Sequence, residues 1–494
     1  MKTVNHIYIL TLFFLLLTIT STAQSIEAWI TTANREHLFE KQSQELVFNT
    51  ENTDRHAAII IDPNQKMQSI DGYGFALTGG SAQHLMNMDS GVREATLKNL
   101  FATNNSNIGI SYIRLSLGAS DLNSFVFSYD DIDPNETDFK LNHFSLSQDL
   151  NDVIPVMKEI LKINPNIKIM ASPWSAPSWM KTNKNIRGGK LKKDCYQVYA
   201  AYFVKYIQAM KKHGITIDAV TIQNEPMNSR NTPSMSWFWH EQAAFIKENL
   251  GPLFKKNGID TKIVIFDHNG DRPDYPLSIL KDYKTSQFID GSGFHNYRGD
   301  MESMELVHLS RPDKSLYFTE QMVVEDPYST EIRIAYNVNR LIIDPMRYWS
   351  KNVVLWNLAA DPLNDPHTDN GGCSMCQGAI TIDSNNTSKN IAYYTIAHAS
   401  KFIRPGSFRI HSSNTNDKSI HLYQDEQRPE VFRAGLVQNT DLLPNVAFET
   451  PEDKIVLIVA NNHWDTSSFK IQYQGKFVKI NLSPGAVGTY IWNK

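Results

Sequence analysis

The stretch AVTIQNEPMNS, from Ala219 to Ser229, begins as a short apolar strand and ends in an amide, a carboxylic acid and a proline. Pro226 stops such a strand because it has no backbone N–H to donate. Asn224 and Glu225 therefore lie at the strand end, although neither side chain favours burial. This ending indicates that the polar pair emerges where the strand meets a ligand or solvent.

The same pattern, a short apolar strand followed by an amphipathic stretch, recurs along the middle of the chain. The predicted strands are Ser69–Leu77, Gly109–Leu117, Asn166–Trp174, Ile217–Asn224, Thr261–Asn269, Gly291–Tyr297, Lys314–Gln321 and Asn352–Ala359. A helical pattern such as Gln197–Gly214, with basic residues and glycine at its end, separates most of them. Apolar strands alternating with helices indicate parallel strands that are buried on both faces.

Eight such strands predict an α/β fold, a closed (β/α)₈ TIM barrel over residues 68–404. A doubly wound open sheet is the main alternative, although no glycine-rich phosphate loop follows any strand. Residues 405–494 instead alternate apolar and polar side chains with period two, which predicts antiparallel strands. We expect residues 25–67, which include the apolar strand Ala57–Asp62, to join them in one β-sandwich built from both termini.

Residues 1–24 are typical of a cleaved export signal, with Lys2, the apolar run Ile7–Ile19, and small residues at Ser21 and Ala23. The prediction is therefore export to the periplasm, the cell surface or the extracellular space; an uncleaved anchor is the alternative. No other segment reaches eighteen uninterrupted apolar residues, so stable membrane insertion is not expected.

Charge and cysteine content narrow the classes of partner. Forty-eight basic residues balance fifty-two acidic ones without long like-charge blocks, which indicates a neutral ligand and no nucleic acid. Nothing in the pattern implies an oligomer. The CxxC pair Cys373 and Cys376, with His367 nearby, leaves a zinc site, a local disulfide or two thiols open.

Polar or aromatic residues stand at the end of nearly every predicted barrel strand. They are Ser120, Asp121, Ser172, Trp174, Asn224, Glu225, Asp267, His268, His295, Tyr297, Thr319, Glu320, Trp356 and Asn357. Glu225 and Glu320 are notable because Glu is a poor cap or turn residue, and the fourth and seventh strands face each other across a barrel mouth. Two facing carboxyl groups beside aromatic rings are what glycoside hydrolysis needs.

The chain resembles glycoside hydrolase family 30, which contains glucosylceramidases and β-1,6-glucanases. The motifs that carry the resemblance are QSIDGYGFALTGGSA, YIRLSLGASDL, KIMASPWSAPSWMKTN, VTIQNEP, FHNY, YFTEQ, VVLWNLA and YYTIAHASKFIRPGSFRI. Departures from the family pattern are Asn296 where Trp is frequent, Gly79 where an acidic residue is usual, and the insertion HTDNGGCSMC after the eighth strand.

The resemblance implies a retaining mechanism with Glu225 as acid/base and Glu320 as nucleophile. It also implies sugar contacts from Asn224 to the 2-hydroxyl, from Asp121 and Trp174 to other hydroxyls, and from Trp356 beneath the ring. His295 and Tyr297 are expected to line the acid/base side of the pocket. No metal and no organic cofactor is expected.

The expected substrate is a β-linked glucan or glucoside. We favour β-1,6-glucan, because balanced charge suits a soluble or cell-wall glucan better than a lipid. The alternatives are a glucosylceramidase-type β-glucosidase, a non-catalytic carbohydrate-binding protein, and a metal-dependent hydrolase that uses Asp267, His268 and His295.

Overall fold

The computed structural model describes residues 24–50, 56–413, 419–424, 432–437 and 443–494. Except for Gln24, the predicted export signal lies outside the described residues. No helix in the described part of the chain is long and apolar enough to cross a membrane.

A closed barrel of eight parallel strands forms the centre of the molecule. The described chain begins with β1 (Ser25–Thr31), β2 (Leu38–Lys41), β3 (Leu46–Val47) and β4 (Ala58–Ser69). The barrel strands follow as β5 (Gly72–Leu77), β6 (Tyr112–Ser116), β7 (Lys168–Ser172), β8 (Ala219–Thr221), β9 (Lys262–Asn269), β10 (Gly291–His295), β11 (Ser315–Glu320) and β12 (Ser350–Leu355). Because β12 pairs in parallel with β5, the ring is complete, and the open doubly wound sheet was the wrong alternative.

Helices follow the barrel strands, and the longer ones bury apolar side chains against the rest of the protein. The helices are α1 (Gly79–Asn87), α2 (Ser90–Phe101), α3 (Val153–Ile163), α4 (Tyr196–Lys212), α5 (Trp239–Phe245), α6 (Gly251–Lys256), α7 (Asp274–Leu280), α8 (Tyr283–Ser286), α9 (Glu302–Ser310), α10 (Ile334–Val338), α11 (Asp344–Arg347) and α12 (Ile391–Ser400). Short 3₁₀ helices at Ser178–Met180 and Lys193–Cys195 and π-helical turns at Ile246–Leu250 and Asn339–Ile343 complete the helical structure. In α3, Val153, Val156, Met157 and Ile160 are buried at helical spacing.

A β-sandwich domain packs beside the barrel and contains strands from both ends of the chain. After β13 (Ala359–Ala360), β14 (Ile380–Asp383) and β15 (Asn386–Lys389), the chain forms β16 (Phe408–Ser412), β17 (Ser419–Gln424), β18 (Phe432–Val437), β19 (Asn445–Glu449), β20 (Lys454–Ala460), β21 (Ser467–Tyr473), β22 (Lys476–Leu482) and β23 (Val487–Asn493). Strand β1 pairs antiparallel with β23, and β4 pairs antiparallel with β16, so the predicted sandwich from both termini is confirmed.

Several details differ from the predicted strands. The fourth barrel strand, predicted as Ile217–Asn224, is shorter and ends at Thr221, so Asn224 and Glu225 lie in the loop that follows it. The pairing of β4 with β21 is parallel, within an otherwise antiparallel sheet. The predicted strand Ser69–Leu77 is divided, because Ser69 ends β4 and the barrel strand starts at Gly72. Between them the chain crosses from sandwich to barrel, where the Ile70 N–H bonds Ser407 O and the Asp71 N–H bonds Lys351 O. The predicted residue limits of the domains stay a prediction.

Candidate active site

A cavity of about 650 Å³ opens at the carboxyl ends of the barrel strands. Most of the predicted site residues line it, namely Asp121, Trp174, Glu225, Tyr297, Glu320 and Trp356. The other two, Asn224 and His295, lie directly behind the wall, and both are buried. The structure therefore brings together all eight side chains that the sequence singled out, whereas their roles remain predictions.

Arg114, on β6, organises the floor of the site. Its fully buried guanidinium donates to Glu320 Oε2, to Asp267 Oδ2 at 2.8 Å and to Asn224 Oδ1 at 2.8 Å. These charge-assisted bonds hold side chains from β11, from β9 and from the loop after β8 against one guanidinium group. Sequence reasoning missed Arg114, although a lone arginine in the apolar strand YIRLS was the available signal.

His295, at the end of β10, lies between three carboxylates. Its Nε2 is 3.0 Å from Asp267 Oδ1, and its Nδ1 is 3.4 Å from Glu225 Oε1 and 3.7 Å from Glu320 Oε1. A single ring nitrogen therefore faces both glutamates. Asp267 completes its own contacts with Thr221 Oγ1 at 2.7 Å and Thr319 Oγ1 at 2.6 Å.

Glu225 occupies an unusual backbone conformation just after β8. Its φ is 46°, in the left-handed region, and its N–H donates to the carbonyl oxygen of Asp267 at 3.0 Å. Asp267 is itself left-handed, with φ 60°. The Glu225 side chain accepts a hydrogen bond from Asn228 Nδ2 at 2.6 Å, so its Oε2 is also held.

Glu320 ends β11 and has a different environment. Tyr297 Oη donates to Glu320 Oε1 at 3.1 Å, and Tyr297 Oη in turn accepts from the backbone N–H of Met322. Tyr297, expected on the Glu225 side of the pocket, is therefore hydrogen-bonded on the Glu320 side. Burial raises the pKa of Glu320 above its usual value, because it outweighs the nearby charges of His295 and Arg114.

The pKa values of the His295–Glu225 pair move in opposite directions. Burial alone would raise the pKa of Glu225, but the hydrogen bond and charge of His295 lower it to about 2. Burial alone would lower the pKa of His295, but the charge of Glu320 and the hydrogen bonds to Asp267 and Glu225 raise it to about 9. In the free protein these opposite shifts favour a protonated imidazole beside a deprotonated Glu225 carboxylate.

Aromatic rings and a neutral acid form the rest of the pocket. Trp174 and Trp356 stack on each other with ring centres 5.3 Å apart, and the Arg114 guanidinium carbon lies 4.9 Å from the Trp174 ring centre. Burial, reinforced by the charge of Glu320, raises the pKa of Asp121 to about 8. At neutral pH its carboxyl group is largely protonated and can both donate and accept hydrogen bonds.

The inserted loop after β12 forms one wall of the cavity. Cys373 and Cys376 are joined in a disulfide, so of the three alternatives for this pair the local disulfide is correct. Both cysteines line the cavity. The loop reaches the neighbouring loops through Thr368, whose N–H donates to Asp121 O at 2.9 Å, and through Asn370, whose carbonyl accepts from Thr232 Oγ1 at 2.6 Å.

The donor set for a metal differs from the one the sequence suggested. Within the described residues, Glu225, His268 and His295 form the group of possible ligands, with ligand atoms within 4.8 Å of one another. Both ring nitrogens of His295 already face carboxylates, with Nε2 3.0 Å from Asp267 and Nδ1 3.4 Å from Glu225. These residues therefore fit a proton-transfer network better than a metal site.

Comparisons with known proteins agree with this geometry. A model described as the glycosyl hydrolase family 30 TIM-barrel domain matches residues 70–403, and one for the family's beta sandwich domain matches residues 406–490. An endo-1,6-beta-D-glucanase of Neurospora crassa is 32% identical over 357 residues, which cover 70% of this chain and 72% of that protein. The lysosomal acid glucosylceramidase of Mus musculus is 26% identical and covers 88% of this chain and 83% of its own length.

Solved structures superpose over nearly the whole chain. The endo-beta1,6-glucanase BT3312 has a TM-score of 0.82 at 31% identity, covering 95% of this chain and 99% of that one. SrfJ from Salmonella typhimurium has a TM-score of 0.84 at 25% identity, covering 95% of this chain and all of the other. Both the barrel and the sandwich are thus shared.

Proposed function

This chain belongs to glycoside hydrolase family 30 and is a glycoside hydrolase, and on that basis we propose that it is a retaining β-1,6-glucanase. The observation that carries the mechanism is the position of His295 Nδ1, which lies 3.4 Å from Glu225 and 3.7 Å from Glu320. Retaining catalysis needs two carboxyl groups roughly 5–5.5 Å apart. Two carboxylates that both lie near one ring nitrogen are close together, which is compatible with that separation.

In the first step, a carboxylate oxygen of Glu320 attacks the anomeric carbon and the bond to the leaving oxygen breaks. Glu225 protonates that oxygen, and the product is a glycosyl ester on Glu320. Arg114 and Tyr297 hold Glu320 in place before the attack. Asn224, whose Oδ1 is bound by Arg114, is oriented so that its amide can bind the sugar 2-hydroxyl.

The proton for this step comes from His295. As Glu320 forms the ester it loses its negative charge, which is the largest influence that raises the pKa of His295. The imidazole then releases its proton to Glu225, and Glu225 passes it to the leaving oxygen. A low carboxyl pKa in the free enzyme is in this way compatible with acid catalysis.

In the second step, water attacks the anomeric carbon and Glu320 leaves as a carboxylate. Glu225 takes the proton from water and returns it to His295, which restores the starting charges. Trp356 and Trp174 supply the aromatic surface for the sugar, and neutral Asp121 hydrogen-bonds its hydroxyls. A neutral sugar suits such a pocket.

The preference for β-1,6 linkages rests on the relatives named endo-1,6-beta-D-glucanases, at 32% identity, and on BT3312. Glucosylceramidase activity is the second candidate, because the mouse relative with that name covers more of this chain. The test is a product profile on β-1,6-glucan, on the β-1,3-glucan laminarin and on glucosylceramide. We expect turnover of β-1,6-glucan, with the anomeric configuration of the first product retained by NMR. Preference for glucosylceramide would favour the second candidate, and an inverted product would refute the retaining mechanism.

We also propose that the protein is exported, because residues 1–24 have the charge and apolar pattern of a cleaved signal. The measurement is the N-terminal sequence of the protein recovered from outside the cytoplasm. A mature chain that starts near Ser25 would support export. Recovery of the uncut chain from the cytoplasm alone would contradict it.

A further inference from the structure

A second cavity, of about 280 Å³, lies beside the catalytic pocket on the side of the loop after β11. We call it the outer groove, defined by Met322, Val324, Glu325, Arg333, Tyr336 and Met375. Met322 lines both cavities, so they are directly adjacent. A molecule that extends out of the catalytic pocket past Met322 would enter the outer groove.

The disulfide loop contacts both cavities. Cys373 and Cys376 line the catalytic pocket, whereas Met375, between them in sequence, lines the outer groove. Cys376 Sγ also lies 3.8 Å from Met322 Sδ. The disulfide thus fixes a short loop that contacts the catalytic pocket through its cysteines and the outer groove through Met375.

The outer groove presents apolar and aromatic surface to solvent. Tyr336 is 44% exposed, Val324 is 43% exposed and Met375 is 54% exposed. The Arg333 guanidinium carbon lies 4.3 Å from the Tyr336 ring centre, which restrains the ring. Ordered, exposed aromatic rings stack on the C–H faces of pyranose sugars.

The same groove also contains a buried acceptor that has no partner. Glu325 Oε2 accepts from Arg35 at 3.1 Å, and the Glu325 N–H donates to Gln377 Oε1 at 3.1 Å. Its second oxygen, Oε1, is buried and finds no hydrogen bond among the described residues. This oxygen is closed to solvent, so a sugar hydroxyl in the groove can donate to it only if the carboxylate turns toward the groove on binding. That contact would remove the cost of an unsatisfied buried acceptor.

We propose that the outer groove is a second sugar-binding subsite, which holds one glucosyl unit of a glucan while another unit occupies the catalytic pocket. Tyr336 stacks on the sugar ring, and Glu325 accepts from one hydroxyl. The proposal rests on the proposed function, because a short monoglucoside would not reach the groove. It predicts that longer substrates bind better than shorter ones.

The test compares Tyr336→Ala with the wild type on β-1,6-gluco-oligosaccharides of increasing length and on an aryl β-glucoside. We expect kcat/KM on long oligosaccharides to fall about tenfold through KM, and activity on the aryl glucoside to stay within about twofold. Tyr336→Phe keeps the ring and should behave like the wild type. Tyr283→Ala removes a tyrosine that is 78% exposed and lines neither cavity, and it is the matched control.

Glu325→Gln gives an independent readout, because the amide keeps the shape and changes the charge and the hydrogen bonding of the unpartnered oxygen. Calorimetric titration of a long oligosaccharide into Glu320→Gln, with and without Glu325→Gln, should show weaker binding in the double variant. The subsite proposal would be overturned if kcat/KM fell equally on short and long substrates. It would also be overturned if the dependence of kcat/KM on substrate length were the same in Tyr336→Ala and Glu325→Gln as in the wild type. If the wild type cleaves no glucan of any length, the proposed function fails and the subsite fails with it; cleavage with unaltered length dependence removes the subsite alone.

Discussion

Both ends of the barrel carry charged side chains, but those at the amino end are partly exposed to solvent and those at the carboxyl end are buried. At the amino end, Lys168 Nζ lies 2.9 Å from Asp218 and Lys262 Nζ lies 3.6 Å from Asp290, with the two lysine side chains 44% and 39% exposed. At the carboxyl end, Arg114 and Asp267 form an ion pair in which both side chains are fully buried. Water screens the first set of charges and is excluded from the second.

The charge balance differs as well. At the amino end, lysines alternate with aspartates, and Lys262 bridges Asp290 and Asp71. At the carboxyl end, Asp267, Glu225 and Glu320 outnumber Arg114 and His295. A buried carboxylate without a compensating charge lowers the stability of a protein. Such carboxylates are found where the chemistry of an active site requires them. The difference indicates that the amino-end charges close the barrel and the carboxyl-end charges perform the reaction.

Among substitutions at the two ends of the barrel, Glu320→Gln at the carboxyl end should reduce activity most. The amide cannot attack the anomeric carbon, so we expect kcat to fall by about 10⁴-fold or more. Asp218→Asn at the amino end is the matched carboxylate-to-amide control and should leave kcat within about twofold. A fluoro-sugar inactivator should label Glu320 in the wild type, and a label on any other residue would refute the assignment.

Glu225→Gln should produce a large effect that depends on the substrate. Without the acid, the hydrolysis of glucans, which have poor leaving groups, should be slower by about 10²- to 10⁴-fold. Activated aryl leaving groups need no proton to depart. The first step on aryl glucosides should therefore lose far less of its rate. Pre-steady-state release of the aryl group separates the two steps. The same loss on both substrate classes would argue against an acid role.

Arg114→Met should lower the free energy of unfolding by about 3–5 kcal/mol, because the buried carboxylates lose their partner. Lys262→Met at the amino end should cost about 1 kcal/mol or less, since its ion pairs are partly exposed. Urea denaturation measures both differences. Equal costs at the two ends would show that burial does not distinguish the two sets of charges.

His295→Gln should narrow the pH profile of kcat/KM from both sides. The acid limb follows ionisation of Glu320, whose pKa His295 lowers, so without His295 this limb moves to higher pH. The alkaline limb follows loss of the proton from the His295–Glu225 pair, whose imidazole pKa is about 9. In the variant the proton must reside on the Glu225 carboxyl, so this limb moves to lower pH. Exposed His240→Gln is the control, and limbs that do not move would contradict the proton route.

Much of the fold was predictable because strand and helix periods are local properties of the sequence. The polar residues at the ends of seven of the eight strands were predictable for the same reason, since parallel strands end at one face of the barrel. Arg114 was not predictable in this way. An arginine in an apolar strand indicates a buried charge, but its four hydrogen-bond partners, Ser172, Asn224, Asp267 and Glu320, lie far away in sequence.

Contacts between loops could not be predicted from the sequence either. The bond from the Thr368 N–H to the Asp121 carbonyl joins residues from opposite parts of the chain, and no period or spacing predicts it. The CxxC spacing was compatible with a metal site, a disulfide or two thiols, and the bond between the two sulfurs in the folded loop distinguished them. The same loop packs on Met322, a contact that the spacing also did not predict. The outer groove depends on that packing too.

The left-handed backbone at Glu225 has a consequence for engineering the enzyme. A non-glycine residue at φ 46° stores about 1 kcal/mol or more of conformational free energy, and the N–H bond to the equally left-handed Asp267 couples two such positions. Glu225→Gly would relieve the backbone strain at position 225, and the same substitution would remove the carboxyl group. Searches that select only for heat resistance will therefore tend to favour inactive variants at this position, and libraries should keep it constant.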